Sequence, residues 1–477
     1  MTTTADKYEV TIGLEIHVQL ATRTKMFCGC ATSFGDAPNT HTCPRCLGLP
    51  GSLPLPNAKA VHYGLMMGLA LGSQIAPRSI FHRKNYFYPD LPKGYQISQF
   101  DEPLCDGGNL GGVRIHRVHL EEDAAKLTHV GSSGRISGSQ ASVVDFNRGG
   151  TPLAEIVTEP DITSAEQASE WLRLLRVTIR QLGVSDVNME EGSLRCDANI
   201  SIRPKGQQEL GTKTELKNMN SFRFIERGIK AEVARQIAIV EGGGEVTQET
   251  LHFDPRTEAI TSMRSKEEAH DYRYFPEPDL VPVIITPAMI EAAQAELPEL
   301  PLEREERLTA LGVEPGAART LSWRPELGDL FEAALAADSS QPKALAALIT
   351  NELLKRIGDG DVSASKASPQ ALAQLVSLVA DGTVSSSGAR TVLDKLVDAG
   401  GDPAAIIDAE GLTAIGGGDE LTPIIHAALD ANPDVAEKLK SGDMKPIGVI
   451  VGYVMKETKG RADGKEVTKI ARGLLGL

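Results

Sequence analysis

No stretch of this chain is apolar for long enough to cross a bilayer as a helix, and Met1 to Lys7 lacks the basic-then-apolar pattern of a secretory signal. Together these predict a cytosolic protein. No G-x-x-x-x-G-K-[ST] run occurs, so a P-loop is unsupported. Gly107-Gly108-Asn109-Leu110-Gly111-Gly112 lacks the spacing of a dinucleotide fingerprint. A nucleotide handled by this chain must then lie on a sheet face, held by metal and Arg. No internal repeat is visible. Cysteine is scarce: the 477 residues hold six, and four of them fall in Cys28-Gly29-Cys30 and Cys43-Pro44-Arg45-Cys46.

That clustering is informative. Two close pairs place four thiolates around a soft-ligand metal such as zinc. The alternatives are two disulfides or four unrelated thiols. A reducing compartment disfavours the first and the spacing disfavours the second. With four protein ligands the zinc would be structural.

The net charge is −15. Taken alone it argues against a nucleic-acid partner, but the charge is unevenly spread. From Lys438 onward, Lys438, Lys440, Lys445, Lys456, Lys459, Arg461, Lys465, Lys469 and Arg472 face only Asp443, Glu457, Asp463 and Glu466. The end of an acidic protein is basic. A solvated helical surface explains this as well as a binding surface does.

The strongest pattern is alternation. In Leu14-Glu15-Ile16-His17-Val18-Gln19-Leu20 the polar beat carries an acid, a histidine and an amide, and Leu194 to Arg203 repeats it with Arg195, Asp197, Asn199 and Arg203. Successive strand side chains point to opposite faces, so each set shares one face. His119-Leu120-Glu121-Glu122-Asp123 and Leu153-Ala154-Glu155-Ile156 add acids from other strands. Carboxylates suit magnesium, whereas histidine suits manganese or zinc equally. Charges on a solvated sheet face remain the competing explanation.

Up to about residue 290 strands mix with a few helices: Asn57 to Gly72, a capping-box helix from Ser164 to Gly183, and one from Ser221 to Gly242. This predicts an α+β domain whose sheet is covered by helices on one side and left open on its polar side. Thr286-Pro287 starts a further helix, and Leu297 to Pro301 reads as a hinge. Beyond it the chain is Ala- and Leu-rich and helical, with starts at Ser368-Pro369, Ser385, Asn432-Pro433 and Lys445-Pro446. Gly416-Gly417-Gly418 reads as a joint and Gly131-Ser132-Ser133-Gly134 as a loop.

Arg83-Lys84-Asn85-Tyr86-Phe87-Tyr88-Pro89-Asp90-Leu91-Pro92-Lys93-Gly94-Tyr95-Gln96-Ile97-Ser98-Gln99 is too rich in Tyr, Pro and Lys for an ordinary core element. It resembles the hallmark segment of the B subunit of glutamyl-/aspartyl-tRNA amidotransferases. The resemblance extends through Gly13–His17, Asn147–Leu153, Glu190–Asp197, Glu215–Ser221 and Asp271–Asp279, in order along the first domain. It implies a sheet-based cradle of the glutamine synthetase/guanido kinase type over residues 1–295 with a zinc-binding insertion. A helical domain over 296–410 and a basic, YqeY-like, tRNA-binding tail over 411–477 would follow. It also implies the reaction: ATP phosphorylates the side-chain carboxylate of misacylated Glu-tRNA(Gln) or Asp-tRNA(Asn), and ammonia displaces the phosphate. The ammonia would come from an amidase-family A subunit, with a small C subunit completing a heterotrimer. No amidase-type nucleophile motif is present in this chain.

By the same resemblance Glu15, His17, Glu122 and Glu155 are catalytic and hold magnesium, or manganese in its place. Alternation from Val118 would instead put Glu121 on the polar face, so this expectation requires the strand to end or bulge at Glu122. Glu190, Arg195, Asp197 and Asn199 are the expected nucleotide and second-metal contacts. Cys28, Cys30, Cys43 and Cys46 fall where some members bind zinc. Lys84, Tyr86 and Tyr88 are expected either at the tRNA acceptor end or in loop packing. A noncatalytic tRNA-holding subunit and a stand-alone ligase are the rival functions.

Overall fold

In a computed structural model the described residues are 7–130, 139–217, 219–265, 269–358, 362–415 and 418–476. The expected loop at Gly131–Gly134 and most of the glycine joint at Gly416–Gly418 lie outside them. Two compact units divide the chain, Met1–Pro301 and Leu302–Leu477.

The first unit is built on a ten-stranded sheet. Tyr8–Gln19 is its central strand, flanked by Leu194–Pro204 on one side and Pro152–Thr158 on the other. Beyond Pro152–Thr158 comes Val113–Glu122, and beyond Leu194–Pro204 come Thr214–Lys217, Glu249–Asp254 and Ala259–Ser265. Neighbours are antiparallel except Thr214–Lys217 with Glu249–Asp254. Period-two alternation decides which face is which. Ile12, Leu14, Ile16 and Val18 are buried on one side, together with Leu120, Ile156, Ala198 and Leu216.

Three helices meet that apolar side. Ala58–Ala70, capped by the Asn57 side chain, packs on the Val113–Glu122 strand, and Phe222–Glu241 packs on the Leu194–Pro204 strand. Ala165–Gln181, capped by Ser164, lies beside Phe222–Glu241. The first helix approaches closely because it carries glycine on its inner face. A Cβ on Gly64 would stand 2.6 Å from Leu104 Cδ2, and one on Gly68 would stand 2.3 Å from Cys105 Sγ. The opposite side carries the polar beat, with His17 beside Glu155 and Arg195. A hairpin, Phe81–Asn85 with Tyr95–Gln99, leans against the end of the Val113–Glu122 strand.

In the second unit the described residues are helical, apart from isolated bridges such as Val384 with Thr413. Helices begin at Pro369, Ser386 and Pro433, each directly after the expected cap. Two apolar cores form, one around Leu321, Phe331, Leu372 and Leu393, the other around Leu421, Ile425, Ile450 and Val467. Leu348–Leu353 widens into a π-turn between two α-helical pieces.

Gly68→Val tests the helix–sheet contact. The added methyls enter space already held by Cys105 and Ile75, so unfolding free energy in urea should fall by roughly 1–3 kcal/mol.

Candidate functional site

The polar face gathers its charge at one place. His17 lies opposite Glu155 on one side and Arg195 on the other, while Glu155 lies opposite His119. From Glu15 and His17 on the central strand, Glu155 on its neighbour, and His119 and Glu121 on the next, side chains converge. His17 Nε2 stands 3.7 Å from Glu15 Oε1, 3.6 Å from Glu121 Oε1 and 3.5 Å from Glu155 Oε2. His119 Nε2 stands 3.3 Å from Glu155 Oε2 and 3.6 Å from Glu121 Oε2. Glu15, His17 and Glu155 form one group with metal-ligand spacing, and His119, Glu121 and Glu155 form another. Ser98 donates to Glu121 Oε2 at 3.0 Å, fixing that carboxylate from the hairpin side.

Electrostatics follow from crowding acids under low exposure. Burial, reinforced by the charge of Glu155, raises the Glu15 carboxyl above its usual range. Burial opposes the charged forms of His17 and His119, but hydrogen bonding and the carboxylate charges outweigh it and hold both near 9. For Glu155, burial is overcome by the charge and hydrogen bond of His119 and by those of His17, so it stays well below its usual range. Glu121 is lowered for the same reasons. Without a metal, imidazolium protons are the counter-charge for these acids.

Along the sheet the polar beat continues into cations. Lys217 Nζ binds Asp197 Oδ2 at 2.7 Å and lies 3.3 Å from Glu215. Arg195 Nη2 sits 2.8 Å from Asp123 Oδ2, off the line a hydrogen bond needs, and its buried Nε has no hydrogen-bond partner. Gln19 donates to the same Asp123 oxygen at 2.7 Å. His17, Gln19, Arg195, Asp197 and Lys217 line a cleft of about 980 Å³, with Glu190 on its rim and Lys126, Asn147 and Arg148 on another wall. Asn199 sits one step further out, opposite Gly13 and Glu215.

From the hairpin comes an aromatic wall. Lys84 Nζ is 4.7 Å from the Tyr272 ring; burial opposes its charge, but Tyr274, Glu121 and Glu155 hold its pKa above the usual lysine range. Tyr86 packs on Tyr272, which packs on Tyr274, which stacks on Phe100. Lys84 and Tyr86 thus feel the charge of Glu121, while Tyr88 is 45% exposed.

Glu122 departs from the expectation. The Val113–Glu122 strand ends at Glu122 but does not bulge there: Leu153 pairs with Glu121 and Pro152 with Glu122 in unbroken register, and the irregularity lies at Val157/Thr158. Alternation therefore places Glu121 in the cluster. Glu122 turns to the other side, where its Oε1 pairs with Lys93 and accepts from Ile97 N–H at 2.9 Å. The residues that sequence reasoning leaves without a role are His119, Asp123, Arg148 and Lys217. His119, Asp123 and Lys217 sit on the polar beat of their strands or its continuation, so parity is the available signal.

On Glu122's side, Cys28, Cys30, Cys43 and Cys46 converge, with all four sulfurs within 4.8 Å of one another. They are free thiols, not disulfides. A hydrogen bond from Cys28 holds the Cys46 thiol down to about 4, against burial. Cys43 N–H also points at Cys46 Sγ, 3.2 Å away.

Comparison with known proteins identifies the family. The GatB/GatE catalytic domain family matches residues 10–291, and a GatB domain family matches 329–475. The B subunit of aspartyl/glutamyl-tRNA(Asn/Gln) amidotransferase from Anaeromyxobacter sp. (strain K) is 48% identical, the match covering 98% of this chain and 99% of that protein. The proteins of that name in Carboxydothermus hydrogenoformans and Geotalea uraniireducens are each 47% identical, over 98% and 97% of this chain and 99% and 98% of theirs. Matched from the acid-lined sheet through the helical remainder, this chain belongs to the family of aspartyl/glutamyl-tRNA(Asn/Gln) amidotransferase B subunits.

Proposed function

We propose that this chain activates the side-chain carboxylate of misacylated Glu-tRNA(Gln) or Asp-tRNA(Asn) with ATP and presents the product to ammonia. The observation that carries the reading is His17 held within 3.5–3.7 Å of three carboxylates on a face whose cleft also carries Arg148, Arg195 and Lys217. A carboxylate resists amidation because its oxygen is a poor leaving group. Attack of that oxygen on the γ-phosphorus of ATP releases ADP and gives an acyl phosphate. Ammonia then adds to the acyl carbon, phosphate leaves, and the nitrogen gives up a proton. The first step brings two anions together, so positioning and charge neutralisation dominate.

Glu15, His17, Glu121 and Glu155, backed by His119, make a donor set that fits magnesium or manganese, because the clustered acids already draw positive charge onto the histidines. These residues would hold such an ion, which would supply charge neutralisation for the phosphate oxygens. Arg195, Arg148 and Lys217 line the cleft as cations for the remaining phosphate charge, and Glu190, Asp197 and Asn199 complete the nucleotide side. Lys84 and Tyr86, packed on Tyr272, would either meet the acceptor end or hold their loop. The four cysteines fit structural zinc, since their sulfurs already lie within 4.8 Å of one another. The sheet unit would be a cradle of the glutamine synthetase/guanido kinase type.

Ammonia would come from an amidase-family glutaminase subunit, with a small third subunit completing the complex. In the tail, Lys438, Lys440, Lys456, Lys465 and Lys469 are exposed on helices and Lys459 in the turn after one, a surface suited to tRNA phosphates. The residues that carry the chemistry would work in the cytosol; no helix among the described residues is long and apolar enough to cross a membrane.

The deciding experiment is phosphate release from labelled ATP by the assembled complex with and without Glu-tRNA(Gln). Release should require the misacylated tRNA and fall by at least about 100-fold in Glu121→Gln. Unchanged release in that variant would move the activation to another subunit and leave this chain as the tRNA holder. Glu122→Gln separates the two neighbours: manganese binding, followed by paramagnetic resonance, should stay within about threefold of wild type. Its thermal midpoint should drop, because Lys93 is left buried without a counter-charge.

Protons and metal compete for the histidines. Both are held near 9, so at pH 7 binding of manganese should release about one to two protons, and fewer as the pH passes 9. Calorimetry in buffers of differing protonation enthalpy reads that number. For the metal-free chain the sign is fixed. The raised histidines stabilise fully below their usual 6.5 and lose this contribution as the pH rises through 9. The lowered Glu121 and Glu155 stabilise above their usual 4.5 and lose this as the pH falls below it. Metal-free stability should therefore peak at roughly pH 5–6.5.

A further inference from the structure

Lys25 is wholly enclosed, 1% exposed. A buried ammonium needs compensation. Its Nζ donates to His41 O at 2.7 Å and Phe146 O at 3.0 Å, and its third direction meets Cys46 Sγ at 3.8 Å. The sulfur is the anionic partner of this set. Zinc with four thiolates carries a net charge of −2, which a half-buried pocket tolerates only with donors and cations around the sulfurs. Cys43 N–H supplies one donor and Lys25 supplies the cation.

The same ammonium joins two chain segments that flank the cleft. His41 belongs to the cysteine loop; Phe146 precedes Asn147 and Arg148, both of which line the cleft. Other bonds follow the same seam. Asn39 N–H donates to Asp145 Oδ1 at 3.0 Å, and Asn39 Oδ1 accepts from Phe146 N–H at 2.7 Å. His41 N–H donates to Asn147 Oδ1 at 2.8 Å. Next to Lys25, Met26 N–H donates to Gly150 O at 2.7 Å. Arg148 is then anchored by Ala124 O and Ala125 O, each 2.9 Å away.

We propose that Lys25 is a positioning residue: it is the outer-sphere cation of the cysteine-bound metal, and through it that metal fixes the Asp145–Arg148 wall of the cleft. This goes beyond a locally structural zinc and rests on the zinc reading above. The metal then acts on substrate binding without touching substrate.

Three measurements on the full-length chain test it. Metal analysis of wild type should give about one zinc per chain; no zinc overturns both the zinc reading and this inference. In Lys25→Met, zinc should pass to a chromogenic chelator roughly 10–100-fold faster than in wild type. With cobalt in place of zinc, the sulfur-to-cobalt charge-transfer band of the variant should move to lower energy, because the thiolates lose their cation. A residue that only filled space would leave that band in place. Zinc present in wild type, with release and band both unchanged in Lys25→Met, overturns this inference alone. The third measurement needs no variant and decides the matter if Lys25→Met does not fold. Stripping zinc from wild type should speed amide exchange at Phe146 and Asn147 while leaving Leu14 and Ile16 protected. Unchanged exchange at Phe146 and Asn147 overturns the coupling.

Discussion

Like charges forced together on one strand beat are the constraint on which the rest of this molecule depends. Glu15, Glu121 and Glu155 come from three adjacent strands and surround one imidazole at 3.5–3.7 Å. Such a gathering of acids is unfavourable unless a rigid frame imposes it and a counter-charge relieves it. The frame is the sheet. Its other face buries Ile12, Leu14, Ile16, Val18, Leu120 and Ile156 beneath helices, so no strand can slide to spread the acids without exposing that core. The relief comes from histidine protons when no metal is bound, and a divalent ion can replace them.

Much of this site is legible because parity is a property of sequence. Glu15, His17, Arg195, Asp197 and Glu155 stand out from alternation alone, and the register puts them on one face. The four cysteines are legible from spacing. Glu122 is misplaced for an instructive reason. Family resemblance picks Glu122 from the acidic doublet, whereas alternation and the observed register put Glu121 on the cleft side. What cannot be read are meetings across the sheet. Asp123 with Arg195 and Gln19 depends on strand order, and Lys84 approaching Glu121 depends on where a hairpin leans. No local pattern encodes either.

The two ligand groups differ in kind, and the difference matches their places. Four sulfurs with no carboxylate among them, tied by Lys25 and Cys43 N–H, form a closed set that suits a metal kept for the life of the protein. Carboxylates and imidazoles beside a cleft of about 980 Å³ form an open set that leaves coordination positions for water or phosphate. On the proposed function, the soft set would keep its metal in place and the hard set would let its ion exchange.

One strand joins these two environments. In Val113–Glu122 the adjacent acids point opposite ways: Glu121 to the histidines and Ser98, Glu122 to Lys93 and a small cavity it shares with Cys28 and Cys46. A slip by one residue would exchange them, leaving Lys93 without its carboxylate and the histidines without theirs, while Leu120 would turn toward the cleft. Each error costs several kcal/mol in a buried setting, so the register is specified from both faces at once. The doublet that is ambiguous in the sequence is therefore the feature that makes this strand's placement unambiguous in the fold. Any force that moves the cysteine side of the strand is felt by the carboxylate on its other side, one peptide bond away.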